Sequence, residues 1–198
     1  TDGITWSAST NGNSIISSVA YGVSWNGTRF VAGGTGTNCL AYSTDGITWS
    51  GSSNGNSFMS SIFAVASNGT YFVATGTRTT SITILSSTDG ITWVAAANEP
   101  FGIGAGGTSI GISYGRWVIG GTNGGNRMVF KSVFENPNGT WSVSTEGNTM
   151  FNTTVRSLCF NGTNLIAGGA TNRIAYNSGT TGPFTNSTNG NSIFNNNV

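Results

Sequence analysis

Three copies of one hexapeptide set the limits on what this chain can fold into. Thr1-Asp2-Gly3-Ile4-Thr5-Trp6 returns unchanged as Thr44-Asp45-Gly46-Ile47-Thr48-Trp49 and again as Thr88-Asp89-Gly90-Ile91-Thr92-Trp93. Decayed forms follow at Asn138-Gly139-Thr140-Trp141 and Gly182-Pro183-Phe184-Thr185. The aromatic anchors Trp6, Trp49, Trp93, Trp141 and Phe184 therefore stand 43, 44, 48 and 43 residues apart. A second motif keeps the same beat: Asn26 to Gly34, Asn68 to Gly76, Tyr114 to Gly121 and Asn161 to Gly169. Two independent motifs on one period make the chain a tandem repeat. It reads as a single array with units at about 1–43, 44–87, 88–132 and 133–177, and a partial unit at 178–198.

Each unit contains four short apolar runs. In the first, Ser18–Trp25 alternates apolar and small residues, and Arg29–Gly33 follows an Asn-Gly turn. Cys39–Ser43 is a third run, and Ile47–Ser50 a fourth behind Thr-Asp-Gly. Asn-Gly between two apolar runs predicts a hairpin with a type I′ turn, which needs positive φ at both central residues. No stretch shows a sustained helical period with caps. The expected fold is all-β: a β-propeller of four-stranded blades, each about 43–48 residues. A β-solenoid is the rival, although its rungs are usually shorter. Four full repeats carry overlapping partial repeats at both ends, since Ser9–Ile15 and Ser187–Ile193 share the sequence Ser-Thr-Asn-Gly-Asn-Ser-Ile. In a closed four-blade ring those two segments would compete for one place. The expectation is a part of a larger propeller, or one completed by self-association of copies through unpaired terminal strands.

The segments Ser43-Thr44-Asp45-Gly46-Ile47-Thr48-Trp49 and Ser87-Thr88-Asp89-Gly90-Ile91-Thr92-Trp93 resemble the Asp-box (BNR) repeat, Ser-x-Asp-x-Gly-x-Thr-Trp, with one residue fewer between Asp and Trp. The resemblance implies a turn between the third and fourth strands of a blade. It implies structural roles for Asp2, Asp45 and Asp89, the three Asp of the chain, and for Trp6, Trp49 and Trp93. An Asp carboxylate can accept backbone N–H bonds within its own turn, Gly supplies backbone freedom, and Trp packs between blades. The resemblance points to a fold and not to an activity, because such propellers include sialidases, xyloglucanases, sortilin-like receptors and a photosystem assembly factor.

Composition narrows the chemistry. The 198 residues include no His, so no imidazole base and no His-ligated metal are available. A net charge of +1 gives no electrostatic footprint for nucleic acid. No apolar run approaches the roughly 18 residues of a membrane span, and no basic-then-apolar leader is visible. Cys39 and Cys159 fall in strands of non-adjacent units and read as small, buried free thiols. No acidic cluster stands beside the Asp turns to complete a calcium shell, so neither metal nor cofactor is expected. The six Asn-x-Ser/Thr sequons, at Asn26, Asn68, Asn138, Asn152, Asn161 and Asn186, fall mostly at predicted turns, where turn chemistry accounts for them.

The remaining loops, such as Ser52–Ser57 and Thr122–Arg127, are rich in Asn, Ser, Thr and Gly with an occasional Arg. Amides and guanidinium forks suit hydroxyl-rich ligands or peptide backbone. The expectation is a non-catalytic binding or display module, in an extracellular, cell-surface or virion-surface setting. It would recognise glycan or protein through upper-face loops carrying Asn13, Asn38, Asn56, Arg78, Arg127, Asn148 and Arg173. A glycoside hydrolase of sialidase type would have to recruit from Glu99, Glu135 and Glu146. A purely structural assembly component is the third reading.

Overall fold

A computed structural model describes residues 3–78, 82–102, 105–122, 126–170, 173–179 and 184–187, with the Arg78 side chain left out. Asp2 lies outside the described residues. The chain forms four antiparallel four-stranded sheets, each a simple meander. Blade 1 contains α1 (Gly12–Ile15), β1 (Val19–Trp25), β2 (Phe30–Thr35), β3 (Leu40–Ser43) and β4 (Ser50–Gly51). Blade 2 contains α2 (Gly55–Phe58), β5 (Met59–Ser67), β6 (Phe72–Arg78), β7 (Ile84–Ser87) and β8 (Val94–Ala95). Blade 3 contains β9 (Gly107–Ser113), β10 (Arg116–Gly121), β11 (Met128–Ser132) and β12 (Ser142–Val143). Blade 4 contains α3 (Thr145–Met150), β13 (Val155–Phe160), β14 (Leu165–Gly169), β15 (Arg173–Asn177) and β16 (Thr185–Asn186).

Three local features depart from the sequence expectation. The Asn-Gly turns are not of type I′, because Asn26, Asn68 and Asn161 keep negative φ. Asn26 Oδ1 instead accepts the N–H groups of Thr28 (3.0 Å) and Arg29 (2.8 Å), closing a wider Asx loop. Asn68 and Asn161 do the same. The two-residue turn with positive φ at both positions falls at Tyr114 (49°) and Gly115 (70°) in blade 3. The fourth strands are shorter and later than expected, Ser50–Gly51 rather than Ile47–Ser50. The N–H groups of Ile47 and Thr48 are spent on Asp45, which removes them from the ladder. Finally, short helices α1, α2 and α3 stand at the entries to blades 1, 2 and 4.

Stacking of the sheets generates the core. The period-two alternation of a strand sends Val31 to one face of blade 1 and Phe30 and Ala32 to the other. Each blade thus has a leading face, toward the blade before it, and a trailing face, toward the next. At the first junction Val31 and Leu40 of blade 1 pack on Phe72, Ala74, Leu85 and Trp93 of blade 2. At the second, Val73 and Ile84 pack on Trp117, Ile119, Val129 and Trp141. At the third, Val118 and Met128 pack on Leu165, Ala167, Ala175 and Phe184. Among the described residues no comparable packing joins blade 4 to blade 1.

Candidate functional site

The Asp turns behave as a carboxylate in a tight turn should. Asp45 Oδ1 accepts the N–H groups of Ile47 and Thr48, both at 2.8 Å, and the Ser43 hydroxyl at 2.9 Å. Ser43 Oγ accepts in turn from Gly46 N–H, whose residue takes φ 74°. Asp89 repeats every one of these bonds with Ser87, Ile91 and Thr92. The bonds from Thr48, Ile47 and Ser43 hold the Asp45 carboxyl below its ordinary range. For Asp89 partial burial pushes the other way, and the N–H bonds from Thr92 and Ile91 outweigh it. Both carboxylates are spent on the scaffold.

Of the anchors, Trp93 and Trp141 are 1% and 2% exposed, whereas Trp49 is half-buried and Trp6 is 84% exposed. Trp6 therefore does not pack between blades in this structure.

The loop residues picked from sequence divide sharply. Asn56 Oδ1 accepts the N–H groups of Cys39 (2.8 Å) and Leu40 (2.7 Å), and its Nδ2 donates to Asn38 Oδ1 at 2.8 Å. Asn38 Nδ2 donates to the carbonyl of Ile15. Asn148 holds Arg127 N–H (2.7 Å), Met128 N–H (3.0 Å) and the Asn126 amide in the same way. Asn38, Asn56 and Asn148 thus tie a crossing segment to the preceding blade. Arg127 takes part through its backbone, and its buried Nε finds no partner among the described residues. Asn13, the copy in the first crossing, is exposed and makes no hydrogen bond to a described residue. Arg173 begins β15 of blade 4, half-buried. Nothing is described of the Arg78 side chain.

A second set of asparagines, absent from that selection, does more for the fold. Asn11, Asn54 and Asn98 each make two hydrogen bonds to one backbone residue 38 to 43 positions onward: Trp49, Trp93 and Trp141 respectively. Their signal was the recurrence of Asn at the start of the crossing segment, two residues before Asn13 and Asn56, with Pro100 standing in that second place after Asn98. In blade 4 that position is Glu146, and a carboxylate cannot donate to a carbonyl.

Blade 4 also carries Phe184 in place of Trp, and a cleft opens there. A cavity of about 130 Å³ lies between blades 3 and 4, lined among others by Tyr114, Arg116, Phe130, Ser144, Glu146 and Phe184. The equivalent arginine at the first junction, Arg29, crosses to donate to the backbone carbonyl of Asp89. Arg116 makes no such bond to a described residue, and its guanidinium lies over the Phe130 ring, 5.1 Å from the centroid. Glu99 is held elsewhere by Thr83 Oγ1 and Phe101 N–H, and Glu135 by Lys131 at 2.8 Å. The three Glu therefore stand in separate places. Among the described residues, no group of three or more Cys, Asp or Glu could hold a metal ion. The thiols differ: Cys39 is buried and Cys159 is exposed, because among the described residues no blade covers the trailing face of blade 4.

No family model matches the chain, and no curated protein matches it. Solved structures do. The extracellular domain of BT4673 from B. thetaiotaomicron aligns with a TM-score of 0.60 at 10% identity, over 84% of this chain and 22% of that one. YCF48 from Cyanidioschyzon merolae aligns at 0.59 and 15% identity, over 85% and 55%. The computationally designed Ika4 protein aligns at 0.55 and 13% identity, over 81% and 91%. The chain thus spans about a fifth of the BT4673 chain and about half of YCF48. Identities this low speak to fold alone, and with four stacked four-stranded meanders they make the chain a β-propeller module.

Proposed function

We propose that the chain is a non-catalytic binding and display module that holds a hydroxyl-rich ligand, a glycan in the first instance, in the cleft between blades 3 and 4. One observation carries the reading: at the junction where the repeat loses its Trp, Arg116, which makes no hydrogen bond to a described residue, lines a cavity edged by Tyr114, Ser144 and Glu146. A guanidinium fork and an acceptor carboxylate together suit vicinal hydroxyls, and the Tyr114 and Phe130 rings supply an apolar wall. At about 30 Å³ per water, the volume holds roughly four waters. That matches one terminal sugar unit better than a long oligosaccharide. The loop asparagines serve less well, since Asn38, Asn56 and Asn148 already spend their amides within the scaffold.

The test is a glycan array followed by titration of the best neutral glycan into Arg116→Ala and Glu146→Gln. Binding weakened more than about tenfold in Arg116→Ala, with unchanged circular dichroism, is the expected result. Binding indifferent to both substitutions, or absent across the array, overturns it. Hydrolysis of the bound glycan that disappears in Glu146→Gln would make the chain a glycoside-acting enzyme instead.

A further inference from the structure

The turn between the third and fourth strands of blade 3 departs from those of blades 1 and 2. Lys131 stands opposite Trp117 in the ladder, as Ser43 stands opposite Phe30 and Ser87 opposite Phe72. The Ser–Asp pair of the Asp turns is replaced here by Lys131 and Glu135, in a connection that stretches the Trp93 to Trp141 spacing to 48 residues. The Lys131 side chain is 6% exposed, and its Nζ donates to Glu135 Oε2 at 2.8 Å and to the Thr140 carbonyl at 3.1 Å. The loop is pinned at three more points. Trp141 Nε1 donates to the Pro137 carbonyl at 2.8 Å, Gly139 N–H to the Asn136 carbonyl at 3.1 Å, and Val133 N–H to the Gly115 carbonyl at 2.9 Å.

On this fastened loop Phe134 is 91% exposed, more than any other large apolar side chain among the described residues. Its ring lies beside the inner hairpin turn of the same blade, where a Cβ at Gly115 would stand 3.4 Å from Phe134 Cε2. Gly115 sits between Tyr114 and Arg116, both of which line the cleft of blades 3 and 4. Tyr114 packs edge-on against Phe160 at 4.8 Å and donates its hydroxyl to the Thr163 carbonyl, so it reaches across to blade 4. A ring held in water by a pinned loop is already ordered, and covering it costs a ligand little further entropy. The neighbours Glu135, Asn136 and Thr140 are exposed and polar. One ring framed by polar groups matches the C–H face of a pyranose, whose hydroxyls stay at its edges, better than a broad apolar protein face.

We propose that Phe134 is a second sugar subsite. A glycan whose terminal unit sits in the cleft beside Arg116 runs out past Tyr114 and Gly115 and lays its next unit on the Phe134 ring. This role rests on the cleft holding a glycan, and it narrows the ligand to a neutral chain of at least two units. The absence of a side chain at Gly115 leaves the path between cleft and ring open.

An array of neutral glycans from one to four units, probed with the wild type, Phe134→Ala, Phe134→Trp and Arg116→Ala, decides it. The wild type should gain about tenfold in affinity from one unit to two. Phe134→Ala should erase that gain and leave single units bound as before, and Phe134→Trp should keep it. Arg116→Ala should weaken every length. Because Phe134 is exposed, neither of its substitutions should move the urea midpoint. A gain that survives Phe134→Ala, or affinity that never rises beyond one unit, overturns the subsite and leaves the cleft reading standing. So does a loss that is equal at every length, or one that Phe134→Trp fails to rescue. An array on which no glycan binds overturns both.

Discussion

The amide of Asn54 and the backbone of Trp93, 39 residues apart, are joined by two hydrogen bonds: Nδ2 donates to the Trp93 carbonyl at 2.9 Å, and Oδ1 accepts its N–H at 3.0 Å. This pairing ties the segment that enters blade 2 to the outer strand of the same blade. The close approach explains Gly55 beside it, where a Cβ would stand 2.8 Å from Leu40 Cδ1 and 2.9 Å from Trp93 Cδ1.

Asn54→Ala should therefore destabilise the chain by about 1–3 kcal/mol, since it strands a buried backbone donor and acceptor. Asn13→Ala, at an exposed position, should cost almost nothing. Urea midpoints compare the two, and equal losses would contradict the division of labour between the paired asparagines.

The Asp turns predict acid sensitivity with a definite sign. Asp45 and Asp89 are held below their ordinary value of 3.8 in the folded chain. Their contribution is complete above that value and disappears as pH falls through the lower, folded-state value. The urea midpoint should be flat between about pH 7 and 5 and drop below about pH 4. The double variant Asp45→Asn, Asp89→Asn should show a shallower drop, because an amide accepts the same bonds without titrating.

The cysteines should react at very different rates. Burial pushes the Cys39 thiol up to about 11, and its sulfur lies 3.2 Å from the Met59 carbonyl. At pH 8 roughly one in a thousand Cys39 groups is thiolate. Ellman's reagent should titrate one thiol quickly and the second only on unfolding. Cys159→Ser should remove the fast phase, and a fast Cys39 would contradict the burial.

Much of this architecture was legible in the chain because a repeat writes the same local physics several times. The recurrence of Trp6, Trp49, Trp93, Trp141 and Phe184 marked the blades, and the Asp turns followed from what a carboxylate does three residues before a bonded N–H. The turn at Asn26 was harder. Whether an Asn-Gly pair twists into type I′ or folds into an Asx loop depends on how far apart the flanking strands are held. The functional residues were hardest of all. Asn13 and Asn56 are the same residue in the same motif, yet one is saturated and the other free, and only the presence of a preceding blade separates them.

What the sequence determined by itself was the unit: four short strands, their turns, and which residues alternate to each face. Tertiary structure decided which copies of that unit are complete. Val118 is covered and Ile166 is not, and Trp141 fills its junction while Phe184 leaves a cavity beside Arg116. Burial is a property of neighbours, and a repeat specifies its own faces without specifying what stands against the last of them.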